Sequence, residues 1–190
     1  MAYEKTIWTN GGTPSINATN LNKIEQGIHE IHSRPNAKLV VPQDIPVLNF
    51  SGKKVVWGHA NSADYGTHRM SYDTHGMFNA SIPDELECKV SGKYMITVFL
   101  TFHGLTIGGG LQAEFFYSNY PDNELETPFD QSYTYIHKIV MPLRLQSSVE
   151  LHQGDKLRLY VYGLNAGENA VIMQNGILSS WIAIECFELI

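Results

Sequence analysis

The sequence predicts an all-β sandwich or barrel head preceded by a short α-helical, coiled-coil stalk. Three observations carry this reading. From Leu39 onwards, short apolar alternations of period two are separated by Gly, Pro, Asn and Asp turns, as in a β-sandwich or barrel. Between Ala18 and Pro35 the apolar residues instead recur at steps of three and four, as on a helix. With 190 residues and 43% apolar composition the chain can bury one sizeable core and has no compositional reason for disorder. The expected division is a leading segment at residues 1–16, a helical stalk at 17–35 and a β head at 36–190.

The leading segment holds Trp8 and a Gly-Gly-Thr-Pro turn but little that could form a core, so it is expected to order on another protein. Ile16 precedes Asn17, a favoured helix cap, and stands five residues before Leu21, matching the hydrophobic staple that fixes how a chain enters a helix. The helix then starts near Ala18, and Leu21, Ile24, Ile28 and Ile31 form one narrow seam. Isoleucine at both kinds of seam position favours three or more strands, which makes these four residues trimer contacts; a single amphipathic helix packed on its own domain is the other reading. Pro35 stops the helix by pushing its predecessor out of helical geometry. Two heptads weakened by Gly27 associate feebly, so the head must supply most of the trimer stability.

In the head the clearest strand covers residues 93–103. Tyr94, Ile96, Val98, Leu100 and Phe102 line one face; Met95, Thr97, Phe99, Thr101 and His103 line the other. The first face is core. Met95 and Phe99 would be costly in water, which places them at a subunit interface. Further strands are expected at 111–117, 133–145, 156–162, 171–173 and 180–187, with a polar loop from 117 to 133.

Charge and composition exclude several classes. A net charge of -6 without a Lys/Arg-rich run argues against nucleic acid. Residues 1–30 lack the pattern of a signal peptide, and no stretch of ~18 apolar residues could span a bilayer, so synthesis in the cytoplasm without membrane insertion is expected. Cys88 and Cys186 lack metal-ligand spacing and are expected to be buried free thiols. Asn17-Ala18-Thr19 and Asn79-Ala80-Ser81 match a glycosylation pattern too short to carry weight.

Two groups of residues resemble known families. Tyr72, Asp73, Gly76 and Phe78, then Gly92, Tyr94, Ile96 and Val98, then Leu151, Gly154, Asp155, Leu157, Leu159 and Val161, resemble the globular head of complement component 1q and tumour necrosis factor. Ser179, Ser180, Trp181 and Ile182 look like that family's last strand. The extra residues 84–90 and the polar 117–133 stretch depart from it, so its ligands do not carry over. Trp8, Gly11, Gly12, Thr13, Pro14, Ile16, Asn17, Leu21, Asn22, Ile24, Glu25 and Gly27 resemble the opening of tail-fibre and baseplate proteins of phages infecting Gram-positive bacteria. The first resemblance implies that the all-β sandwich head is a jelly roll, and the two together imply a homotrimeric attachment protein of a phage tail, docked on other baseplate or tail proteins through its leading segment and resident in the virion.

Catalysis finds no constellation: paired carboxylates or a nucleophile beside a base are not evident, so no enzyme and no cofactor is expected. Asp122, Glu124, Glu126 and Asp130 do not match a calcium loop, and the eight histidines contain no His-Glu-x-x-His; His29 and His32 lie beside the helix seam. Gly108, Gly109 and Gly110 lack the Lys and helix of a phosphate cradle and read as a turn. Binding is better supported, because tyrosine stacks on a pyranose while its hydroxyl reaches a polar group. Tyr65, Tyr117, Tyr120, Tyr133, Tyr135 and Tyr162 fall in expected loops or strand ends. The first candidates for a host cell-wall glycan or teichoic acid are Tyr117, Tyr120, Asp122 and Glu124, then Trp57 and His68. A structural virion protein that trimerises or caps a fibre without a ligand, and a cell-wall hydrolase or esterase, are the alternatives.

Overall fold

The structure is a computed structural model and describes residues 17–59, 71–118, 127–174 and 180–190. The chain divides into two compact units, Met1–Arg34 and Pro35–Ile190. In the first, helix α1 runs from Ala18 to Ser33. Its cap is the expected one: Asn17 Oδ1 accepts the Thr19 N–H at 3.0 Å while the Asn17 carbonyl accepts the Leu21 N–H at 3.1 Å. Of the seam, Leu21 and Ile28 are half-buried and Ile24 is 58% exposed. Ile16 and the Ile31 side chain lie outside the described residues, as does the whole leading segment.

The second unit is a two-sheet sandwich whose strands are β1 (Asn36–Val40), β2 (Ile45–Pro46), β3 (Lys53–Lys54), β4 (Tyr72–Asp73), β5 (Leu86–Glu87), β6 (Gly92–His103), β7 (Gly110–Ser118), β8 (Thr127–Tyr135), β9 (Val140–Leu151), β10 (Lys156–Leu164), β11 (Val171–Ile172) and β12 (Trp181–Leu189). In the seven-stranded sheet, β6 carries β9 along one side and β12 followed by β11 along the other; β1 and β4 continue beyond β12, and β2 pairs β11. The five-stranded sheet runs β8, β7, β10, with β3 and β5 both on the far side of β10. All these pairings are antiparallel.

Alternation dictates what lies between the sheets. Tyr94, Ile96, Val98, Leu100 and Phe102 of β6 are fully buried, as are Leu111, Ala113 and Phe115 of β7 and Val161 of β10. Burying a side chain of this size contributes roughly 1.5–3 kcal/mol, so inward rows of five and three residues fix the register of their strands. The turn after β4 shows what its motif does. Asp73 accepts the backbone N–H groups of His75, Met77 and Phe78 at 3.3, 3.0 and 2.8 Å, while Gly76 takes a φ of 68° that a side chain would resist.

The strand expected over 133–145 is two strands. Chain reversal occurs at 136–139, where Ile136 is buried and its N–H donates to the Gly109 carbonyl at 2.9 Å. The stretch expected as a polar loop contains most of β8, an edge strand whose side chains are mostly exposed or half-buried and therefore leave no apolar alternation to read.

Strand direction defines two ends of the sandwich. β1 starts at Asn36 opposite Glu185, and β12 finishes opposite Gly92, so this end also holds Leu151, Lys156, Ser118 and Thr127. The other end holds His103, Gly110, Tyr135, Val140 and Leu164.

Candidate binding site

Two of the six candidate ligand residues are described, and both turn inward. Trp57, expected beside a ligand, is 1% exposed and belongs to the core, where its indole cannot meet a sugar. Tyr117 pairs with core-facing Leu157, so its side chain points between the sheets, half-buried and edge-on to Phe129 at 5.9 Å. It is a packing residue rather than a loop aromatic. Tyr120, Asp122, Glu124 and His68, with Tyr65 and Glu126, lie outside the described residues. Asp130 uses Oδ1 to accept the Gln131 N–H at 2.8 Å. Gly108 lies in the turn before β7 and Gly110 opens that strand: Gly108 has φ 98°, and a Cβ on Gly109 would stand 2.3 Å from the Asn165 carbonyl oxygen.

Two exposed tyrosines, Tyr133 and Tyr135, and two half-buried ones, Tyr160 and Tyr162, gather on the outer face of the five-stranded sheet. Register sets them in rows across the strands. One row is Tyr133, Gln112, Tyr162; the next is Gln131, Glu114, Tyr160, Lys54. Tyr133 and Tyr135 are 56% and 61% exposed, and both were among the tyrosines expected at strand ends. Each ring of the first row lies against a glycine: a Cβ on Gly110 would come within 2.4 Å of the Tyr133 hydroxyl, and one on Gly52 within 2.7 Å of the Tyr162 ring. Tyr160 stacks with Tyr162 at 6.5 Å and meets Phe116 edge-on at 4.9 Å. Gln112 Nε2 donates to Glu114 at 2.6 Å and to Gln131 at 3.1 Å, giving a hydrogen-bonded polar strip between the aromatic platforms. Gln112, Gln131 and Glu114 were missed by sequence reasoning; only the strand register brings them together.

Charges border this face in pairs. Glu85, buried, accepts from Lys156 at 2.9 Å and from Arg158, and Lys54 lies 3.4 Å from Asp84 and 5.7 Å from the Tyr160 ring centroid. A groove of about 420 Å³ opens beside the face between β2 and β3, lined by Asp44, Pro46, Gly52, Lys53, Lys54 and Asp84 among others.

The outer face of the seven-stranded sheet differs. Phe99 and Trp181 are register partners with stacked rings, 6.1 Å apart and 17° from parallel. Met95, Thr97 and Ala183 extend this half-buried apolar centre, and Lys38 sits 5.3 Å over the Trp181 ring. Arg144, Glu185 and the Lys93–Glu188 pair at 2.9 Å rim it. Tyr72 lies at the β4 edge, its hydroxyl held above the ordinary value by burial and then by the Glu185 carboxylate. Thr101, from the same alternate row, is covered at 1% exposure.

Between the sheets, Cys88 and Cys186 are buried and not joined in a disulfide. The Tyr94 hydroxyl donates to the Val90 carbonyl and receives the Cys88 thiol at 3.6 Å. Burial pushes both the Cys88 thiol and the Tyr94 hydroxyl up, keeping them protonated. Among the described residues no three His, Cys, Asp or Glu side chains come together as metal ligands, and no helix is long and apolar enough to cross a membrane.

No family model and no curated protein matches this sequence. Solved structures do. Murine APRIL at pH 8.0 is 12% identical, with 82% of this chain and 100% of that chain covered and a TM-score of 0.58. Murine APRIL at pH 8.5 gives 12% identity, the same coverages and a TM-score of 0.53. Eiger TNF from S. frugiperda gives 16% identity, coverages of 81% and 92%, and a TM-score of 0.53. The likeness is one of fold: the head is a jelly roll of the tumour-necrosis-factor type.

Proposed function

We propose that the chain is a homotrimeric attachment protein of a phage tail or baseplate, docked through residues 1–16, aligned by α1, and binding host-wall saccharide through its head without catalysis. The observation that carries the reading is the chemical inequality of the two outer faces. The seven-stranded sheet presents an apolar centre, Phe99 on Trp181 with Met95 beside them, inside a charged rim, which is the anatomy of a subunit interface. The five-stranded sheet presents tyrosines around an amide and carboxylate strip, which suits a ligand with apolar ring faces and many hydroxyls. The phage setting rests on the leading segment's resemblance to tail-fibre and baseplate proteins.

The test pairs light scattering of the full chain with its binding to purified walls of Gram-positive bacteria. A trimer that binds walls saturably and releases no soluble fragment agrees with the proposal. A trimer that binds no wall is a structural virion component, and release of wall fragments would make it a hydrolase.

A further inference from the structure

The geometry points to the row Tyr133–Gln112–Tyr162 as a two-platform site for an uncharged oligosaccharide lying across β8, β7 and β10, in preference to a phosphate-rich wall polymer. This deepens the proposed function and rests on the head being a saccharide-binding domain. Neighbouring strands lie about 4.8 Å apart, so the backbone positions of Tyr133 and Tyr162 stand about 10 Å from one another with Gln112 between them, the Tyr133 ring lying over Gly110 and the Tyr162 ring over Gly52. That spacing admits one sugar ring over each tyrosine and an intervening ring over the amide strip. Gln112 spends its N–H groups on Glu114 and Gln131, which turns its own carbonyl and the Gln131 amide nitrogen to the ligand as an acceptor and a donor.

Charge selects the ligand class. A polyol-phosphate chain requires cations that are free to meet it. Around this face Lys54 faces Asp84, and Lys156 and Arg158 both face Glu85. Counting Glu114, the Lys89–Glu87 pair beside Lys156 and the groove's Lys53 and Asp44, five cations meet five carboxylates and the sum is zero. The carboxylate nearest the row, Glu114, repels a polyanion and accepts hydroxyl protons from a neutral sugar.

The glycines under the rings supply a sharp test. A methyl group at Gly110 would meet the far end of the Tyr133 side chain, 2.4 Å from its hydroxyl oxygen, and this exposed ring can swing away without moving backbone. Gly110→Ala therefore displaces the platform and leaves the fold intact. Full-length protein, Gly110→Ala and Tyr133→Ala are titrated with neutral oligosaccharides of N-acetylglucosamine, glucose, galactose and rhamnose, and with polyglycerol phosphate. Thermal melts run in parallel. Expected is binding of a neutral oligosaccharide that is unchanged across a tenfold range of salt, and about tenfold weaker in both variants at unaltered melting temperature. Salt-sensitive binding of polyglycerol phosphate in its place overturns the neutral-ligand inference and leaves the proposed attachment function standing. Neutral binding that both folded variants retain in full moves the site off this row. If the wild-type trimer binds neither probe nor intact walls, the saccharide reading of the head fails with it.

Discussion

Replacing Phe99 with Asp separates folding of the head from its assembly. In one protomer the Phe99 ring stacks on Trp181 at 6.1 Å and is half-buried. Losing the aromatic pair costs ~0.5–1.5 kcal/mol, losing half the ring's burial ~1 kcal/mol, and placing Asp in a strand up to ~1 kcal/mol. The total, ~1.5–3.5 kcal/mol, is less than the ~5–15 kcal/mol that holds a domain together. Arg144, the register neighbour across β9, can meet the new carboxylate in the protomer. In the trimer three carboxylates enter an apolar interface, each with a desolvation penalty of several kcal/mol. Phe99→Asp should therefore be a folded monomer or aggregate at micromolar concentration, with a β-type circular-dichroism spectrum and a lowered but cooperative melt, while wild type scatters light as a trimer. A wild-type monomer, or a variant that stays trimeric, refutes the interface.

Three further outcomes follow from the geometry. Deleting residues 1–34 removes one compact unit and leaves Pro35, whose carbonyl accepts the Cys186 N–H at 2.9 Å, so the remaining chain should fold and sediment as a trimer; sedimentation as a monomer would make the stalk the trimerising element. Trp57→Ala should cost ~3–5 kcal/mol in urea unfolding, the penalty of an emptied core site, whereas a change within ~0.5 kcal/mol would return Trp57 to the surface. Cys88 and Tyr94 are held protonated above their ordinary values of 9.0 and 10.0, and the unfolded chain ionises first. Stability should thus be level below pH 9 and fall as the pH rises past 9 and then 10, with Cys88 inert to thiol reagents until denaturant is added; thiol labelling of native protein at neutral pH would contradict this.

The sequence was legible wherever burial was one-sided. The inward row of β6, the Asn17 cap and the start of β10 all follow from side chains whose misplacement costs kilocalories. Legibility failed at β8, because an edge strand with mostly exposed or half-buried side chains carries no apolar alternation. The candidate binding residues failed for a related reason. Tyr117 and Tyr133 have the same chemistry, and nothing local says that one pairs with Leu157 and faces the core while the other pairs with Gln112 and faces water. Trp57 misled because a polar stretch that follows it in the sequence does not decide which way the ring points. Register is a long-range property, and with it came Gln112, Gln131 and Glu114.

The proposed placement of assembly and recognition on opposite sheets has a consequence for what such a trimer can hold. The outer faces of a sandwich point away from each other across the core, so burying Phe99 and Trp181 at a threefold axis leaves every Tyr133–Tyr162 platform on the periphery. Peripheral sites around an axis cannot all lie against one flat surface. They can be served together by long, flexible strands that reach around the head, which is how polymer projecting from a wall presents itself. Linked binding then multiplies weak individual affinities by ~10²–10⁴ when the strand spans the sites. The Phe99→Asp monomer keeps its own platform, so its affinity for a short oligosaccharide stays near the wild-type value while the gain from long chains disappears. In the proposed trimer the interface would thus contribute to attachment by geometry, without touching the ligand.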